Sequence, residues 1–154
     1  MTMHEYVTML LAHMGCQNVT VEIEEKDSET RVVFRVPEED SGMLIGHRGE
    51  TLEALQRILT LTYRDDLADK RLTVEVNDYL DRRQEVVQRI ADEALERVRA
   101  TNAPTTLPYL SSEERRIVHT LLKEAGVETK SDGIGRDRRL TVYPVGSLPQ
   151  QEEA

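Results

Sequence analysis

The sequence predicts an α+β protein of two small units joined by one long helix. Two observations favour this class. Short runs alternate between apolar and polar residues, as half-buried strands do, and they are separated by segments whose apolar residues recur at helical spacing. The first half of the chain gives the order helix, strand, strand, helix, helix, strand. A long helical segment follows, and then one more helix and two strands.

The first unit begins with a helix over Met3–Met14, after which Gly15 stands at the position of a C-terminal cap. Alternating residues predict a hairpin of two strands, and Pro37 ends the second strand. A short apolar helix, a Gly-x-x-Gly motif and an amphipathic helix over Glu50–Leu61 come next. The predicted strands lie at residues 19–24, 32–36 and 72–76, and the second long helix turns Leu52, Leu55, Ile58 and Leu59 inward.

The second unit includes the connecting helix over residues 78–101, which Asn77 or Asp78 can cap and which spans about 30 Å. Ser111 and Glu114 form the Ser-x-x-Glu pattern of a capping box at the start of the next helix. Its expected buried stripe is Ile117, Val118, Leu121, Leu122 and Ala125, and strands follow at 127–130 and 140–143. We therefore expect domains at residues 1–77 and 78–143, with a disordered tail at 144–154.

Composition limits the possible functions. The formal net charge is -9, which argues against a broad basic surface for nucleic acid. Only residues 102–143 carry more basic than acidic side chains. The single cysteine, Cys16, excludes an internal disulfide, and the four histidines show no ligand spacing, so we expect no metal and no cofactor. The apolar run near the N-terminus is too short to enter a membrane, and a cytoplasmic protein is expected.

The segment Gly46, His47, Arg48 and Gly49 lies between a short helix and the N-terminus of a longer one. Two glycines let a phosphodiester backbone approach closely, the helix N-terminus adds partial positive charge, and the residues between them supply cations. The alternative interpretation is a helix C-cap followed by a tight turn.

The segment MLIGHRGETLEALQ resembles the core of a type II KH domain, in particular that of the bacterial Jag (KhpB, EloR) family. In that family an R-three-H domain follows, named for an Arg and a His separated by three residues, and Arg115 and His119 match this pattern. The loop SDGIGRDRR resembles the family's loop before its last strand, which places Arg138 and Arg139 in the site.

The resemblance implies single-stranded RNA binding in the cytoplasm and a regulatory role in cell elongation, division or envelope synthesis. It also implies a single-KH protein as a partner, or self-association. The family commonly has Lys where His47 stands, so a permanent charge is lost there. Longer members begin with a further domain, which we do not expect here.

Helical geometry offers a separate check on the second motif, because residues four apart share one face. Arg116, His119 and Lys123 fall opposite the expected buried stripe, with Arg115 at its boundary. These groups suit phosphates or bases. The alternative is a solvated helix face paired with Glu113 and Glu124.

Two other classes of function compete with RNA binding. A catalytic site requires a nucleophile with a base, paired carboxylates or a metal, and the sequence arranges none at a recognisable spacing, so we expect no enzyme. The stronger rival is an adaptor that binds proteins through the KH surface and contacts little RNA.

Overall fold

A computed structural model describes residues 1–150 of the chain. The chain divides into two compact units, the first over Met1–Asp81 and the second from Arg82 onward. The helices are α1 (Met3–His13), α2 (Glu38–Ile45), α3 (Glu50–Thr62), α4 (Arg64–Leu67), α5 (Tyr79–Thr101) and α6 (Ser112–Glu124). The strands are β1 (Thr20–Glu25), β2 (Glu29–Arg35), β3 (Arg71–Val76), β4 (Thr105–Thr106), β5 (Glu128–Asp132) and β6 (Arg139–Tyr143).

The first unit is a three-stranded sheet in the order β1-β2-β3, with β1 antiparallel and β3 parallel to β2. The element order matches the predicted one, apart from the short α4 that follows α3. Alternate residues of β2 and β3 pack with α1 and α3, because strand side chains alternate between the two faces of a sheet. The core includes Val7, Leu11, Val32, Phe34, Leu52, Leu55, Leu59, Leu72 and Val74.

The start of α1 is tied to the end of α3. Thr2 and Glu5 form a capping box at the N-terminus of α1, which was not among the predicted caps. The Tyr63 hydroxyl donates to the Thr2 carbonyl oxygen at 3.2 Å, and the Tyr6 and Tyr63 rings meet edge to face with centroids 5.8 Å apart. These contacts close one end of the first core.

Side chains form hydrogen bonds with backbone N–H and C=O groups of both outer strands of this sheet. At β3, the Val74 N–H donates to Gln56 Oε1 at 3.1 Å, and the Val76 N–H donates to Glu75 Oε1 at 3.0 Å. At β1, His4 Nε2 donates to the Val21 carbonyl oxygen at 3.1 Å. Backbone groups at both edges therefore already have partners within the chain.

A buried carboxylate links β3 to the start of α5. Glu75 is completely buried, and its Oε1 also accepts the Leu80 N–H at 3.0 Å, in the first turn of α5. Arg31 lies 3.5 Å from Oε2. Burial raises the pKa of Glu75, against the lowering effect of these donors. The sequence predicted Asn77 or Asp78 as the cap of α5. The Asn77 side chain bonds the backbone of Val36, and a cap by Asp78 stays a prediction.

The second unit has a three-stranded antiparallel sheet in the order β4-β6-β5. The two-residue β4 was not predicted, because residues 101–108 are rich in helix breakers. The core combines Val87, Ala91, Ala94 and Val98 of α5 with Val118, Leu122, Leu140 and Val142.

Two predicted core positions are wrong. Ile58 of α3 is 41% exposed and Ile117 of α6 is 47% exposed. Each directly precedes a fully buried residue on its helix, and a step of one residue along a helix turns the side chain by about 100°.

Residues 151–154 of the expected tail lie outside the described residues. Within the tail, Pro144 is buried, and its carbonyl oxygen accepts the Ser147 N–H at 3.1 Å.

Candidate nucleic-acid interface

The Gly-x-x-Gly motif forms a tight turn between α2 and α3. Gly46, Arg48 and Gly49 have φ values of 73°, 55° and 85°, all on the left-handed side that favours glycine. His47 and Arg48 are exposed, whereas Gly49 is buried. The turn therefore presents its two middle side chains to solvent.

Packing explains both glycines. A Cβ at Gly46 would lie 2.2 Å from Thr51 Oγ1 and 2.8 Å from the Thr51 nitrogen. A Cβ at Gly49 would lie 3.1 Å from the Tyr79 hydroxyl oxygen. Packing within the chain therefore requires both glycines, and their expected role in making room for a phosphodiester stays a prediction. A strand bound here would meet His47 and Arg48.

Acidic side chains follow the cation of this turn in the chain. The first turn of α3 carries Glu50 and Glu53, close to the helix N-terminus that would attract a phosphate. These two carboxylates offset the charge of Arg48. They therefore reduce the attraction of this turn for a phosphate.

The second motif lies on α6, whose start is firmly held. Ser111 and Glu114 form the predicted capping box. Glu114 also accepts two hydrogen bonds from Arg83 of α5, at 2.7 and 3.0 Å, and both side chains are less than one-fifth exposed. This bidentate pair fixes the N-terminal end of α6 against α5. It was not predicted, because nothing in the sequence pairs residues 31 positions apart.

Arg115 combines a structural role with a surface position. Its guanidinium donates from Nη1 to the Leu110 carbonyl oxygen at 2.7 Å and from Nη2 to Ser112 Oγ at 3.1 Å. The side chain is half-buried, and the fork of five N–H groups is larger than these two bonds require. Arg115 thus orders the segment that precedes α6.

The cationic residues of α6 lie on one side of the helix, next to β5. His119 Nδ1 is hydrogen-bonded to Thr129 Oγ1 of β5, which fixes the orientation of the imidazole ring. Arg116 and Lys123 are exposed one turn to either side. We name Arg115, Arg116, His119, Lys123 and Arg138 the cationic edge.

Arg138 joins this surface through β5. Its Nε donates to Ser131 Oγ at 2.8 Å, and its Nη1 donates to the Gly133 carbonyl oxygen at 3.2 Å. The step from Thr129 to Ser131 covers about 6.6 Å of strand, close to the roughly 6 Å between His119 and Arg115 on the helix. Because a short turn joins α6 to β5 and makes them antiparallel, Arg138 lies near the Arg115 end of the cationic edge.

Arg139 has partners of its own. Its guanidinium lies 5.6 Å from the centroid of the Tyr109 ring, a cation–π contact, and its Nη1 donates to the carbonyl oxygens of Arg136 and Arg138. Arg139 precedes the buried Leu140, so strand alternation turns the two residues toward opposite faces of the sheet. The two arginines that the family resemblance places together therefore have different side-chain partners, and a common site for them stays a prediction.

Within residues 1–150, no group of three or more His, Cys, Asp or Glu side chains could hold a metal ion. Across the same residues, no helix combines the length and the apolar character needed to cross a bilayer.

Comparison with known proteins assigns each unit to a family. Residues 3–76 match the family model of the KhpA/KhpB KH domain, and residues 85–144 match that of the R-three-H domain. Among curated relatives, the RNA-binding protein KhpB of Clostridium symbiosum is 31% identical over 117 residues, covering 75% of this chain and 53% of the relative. The RNA-binding protein KhpB of Bacillus subtilis is 30% identical over 139 residues, covering 88% of this chain and 65% of the relative.

The chain spans between about half and two-thirds of the length of these two relatives. The α+β class and both predicted domain types are confirmed. A KH domain followed by an R-three-H domain, in a chain similar to KhpB proteins over most of its length, shows that this protein belongs to the KhpB family.

Proposed function

We propose that this protein binds single-stranded RNA, mainly through the cationic edge of the R-three-H domain, with His47 and Arg48 of the KH turn as a weaker second contact. The observation that carries the proposal is the gathering of cations from α6 and from the loop before β6 along one side of β5. Guanidinium and ammonium groups in such a row bind successive phosphates of one strand. The RNA-binding proteins named above support the choice of RNA.

The net charge of -9 makes the location of these cations decisive. Acidic side chains elsewhere repel a polyanion, so contact is confined to the two cationic sites. Such a surface favours a short single strand over a duplex, because a rigid duplex would bring a second row of phosphates toward acidic regions.

The test is fluorescence anisotropy with a labelled single-stranded RNA of about 12 nucleotides, compared with a duplex and with single-stranded DNA. Arg116→Ala and Lys123→Ala remove exposed cations of the edge. Arg89→Ala, on the exposed side of α5, is the control with the same change of charge. The proposal fails if Arg116→Ala and Lys123→Ala bind RNA as tightly as the control Arg89→Ala does.

The KH turn needs a different variant. Gly49→Asp would place a side chain against Tyr79 at a φ of 85°, so any loss of binding would be confused with a loss of folding. His47→Asp combined with Arg48→Asp reverses the charge at exposed positions, and Asp tolerates the left-handed conformation of residue 48. Lys26→Asp, in the hairpin turn at the opposite end of the sheet, is its control.

We further propose that the protein acts in the cytoplasm as a post-transcriptional regulator of cell elongation, division or envelope synthesis, as the family resemblance implies. Ultraviolet crosslinking in cells followed by sequencing of the recovered RNA tests this role. Wild-type protein should recover a defined set of transcripts that an Arg116→Ala, Lys123→Ala double variant does not.

A second candidate function is that of an adaptor that associates through the KH domain. The exposed side of α3 carries Ala54, Ile58 and Leu61, and the last two are 41% and 65% exposed. A stripe of this kind can pack against the same stripe of a second copy or of a single-KH partner. Sedimentation velocity distinguishes the candidates, since Leu61→Glu should abolish association without changing RNA affinity if the two functions are separate.

A further inference from the structure

The loop between β5 and β6 holds an isoleucine out into solvent. Ile134 is 90% exposed, the highest value among the large apolar side chains of residues 1–150. It lies between Gly133 and Gly135, with Arg136 and Arg138 close behind it in the chain. Nearly all of the apolar surface of this side chain is therefore available to a ligand.

The loop that carries Ile134 is ordered by its own hydrogen bonds. The Asp137 N–H donates to the Ile134 carbonyl oxygen at 3.2 Å, and the Arg138 N–H donates to that of Gly135 at 3.3 Å. Gly133 has a φ of 103°, and a Cβ there would lie 2.8 Å from the Asp137 carbonyl oxygen. These contacts close a tight turn, and they leave the side chain of Ile134 exposed to solvent.

The loop that carries Ile134 lies close to the cationic edge. Arg138 bonds Ser131 Oγ and the Gly133 carbonyl oxygen, so one arginine of the edge also braces the base of this loop. Ile134 follows Thr129, the partner of His119, by five residues, a distance of at most about 17 Å along an extended strand. A bound strand whose phosphates lie on the edge would pass this tip within a few nucleotides.

We propose that Ile134 packs against a base of the single-stranded RNA held by the cationic edge, so that the loop contacts bases while the edge contacts phosphates. The proposal rests on the RNA binding proposed above and deepens it. Cations flanking the tip attract a phosphate backbone, and the unpaired bases of a single strand have apolar faces available for packing. A duplex, whose bases are stacked inside, offers this side chain no such contact.

The test compares RNA with the same sugar-phosphate strand lacking its bases, each about 12 nucleotides long and labelled for anisotropy. Ile134→Ser should weaken binding of RNA about fivefold to tenfold, since covering about half of one aliphatic side chain changes affinity by roughly that factor. Binding of the abasic strand should stay unchanged. Val145→Ser, at an apolar residue 73% exposed beyond the opposite end of β6, is the control and should bind both strands as wild type does.

A second variant reports on the contact directly. The chain contains no tryptophan, so Ile134→Trp introduces a single indole, and the extended φ and ψ of residue 134 (-128° and 137°) accept any side chain. Its fluorescence should be quenched by RNA and not by the abasic strand.

The base contact of Ile134 and the RNA binding on which it rests are contradicted by different results. If Ile134→Ser binds RNA as wild type does while Lys123→Ala weakens binding, the base contact is wrong and RNA binding stands. If wild-type protein shows no salt-sensitive binding of RNA, both are wrong. If the indole of the Ile134→Trp variant ignores RNA but shifts its emission with vesicles containing phosphatidylglycerol, the tip inserts into an anionic lipid surface instead.

Discussion

Removing two exposed cations from α6 should change both the strength and the salt dependence of RNA binding. For single strands, the logarithm of the association constant falls with the logarithm of salt concentration by about 0.7 per neutralised phosphate. If Arg116 and Lys123 each contact one phosphate, the double alanine variant should lower that slope by about 1.4. Near 0.1 M salt, the same relation gives about fivefold weaker binding for each lost contact, or about 25-fold for both.

Anisotropy titrations at four or more salt concentrations measure the slope, and circular dichroism shows whether the variants remain folded. Both residues are exposed, so melting should change little. Arg89→Ala should leave the slope unchanged. A double variant that binds more weakly but keeps the wild-type slope would refute the reasoning, because the two side chains would then act on binding without contacting phosphates.

Three further predictions concern stability and are measured by urea denaturation. Gly46→Ala should lower the free energy of unfolding by about 3 kcal/mol, since it adds a clash with Thr51 to a left-handed backbone, and a loss under about 1 kcal/mol would contradict this packing. Glu114→Ala should cost about 2 to 4 kcal/mol, because it removes both the bidentate bond to Arg83 and the capping box; the explanation is wrong if Glu114→Ala is neutral. The raised pKa of Glu75 means that the folded state holds this proton more tightly than the unfolded state, so its contribution to stability is largest below about pH 4.5 and is lost as the pH rises through the folded-state pKa. Glu75→Gln should remove that part of the pH dependence, and an unchanged pH profile would show that Glu75 does not titrate in this way.

Local signals in the sequence predicted most of the fold. The capping box at Ser111 and the hairpin of β1 and β2 depend on residues close together in the chain, and both are confirmed. The errors at Ile58 and Ile117 have a common cause. An apolar residue beside a buried one fits a helical stripe equally well, and only tertiary packing shows which of the two faces the sheet.

The candidate site was predictable in part for the same reason. The four-residue spacing of Arg115 and His119 on one helix is enough to indicate a shared face. The different partners of Arg138 and Arg139 depend on strand register, since a shift of one residue exchanges the two faces of β6. The bond from Arg83 to Glu114 and the packing of Tyr79 on Gly49 arise only from the three-dimensional fold.

Hydrogen bonds from side chains to backbone groups at the edges of the first sheet affect how readily the protein aggregates at high concentration. An open edge strand is a template on which a strand of another molecule can add, and this is a common route to aggregation. Gln56 on one edge and His4 on the other already use the groups that such a strand would need. Copies of this chain at high concentration would therefore gain little from joining their KH sheets edge to edge.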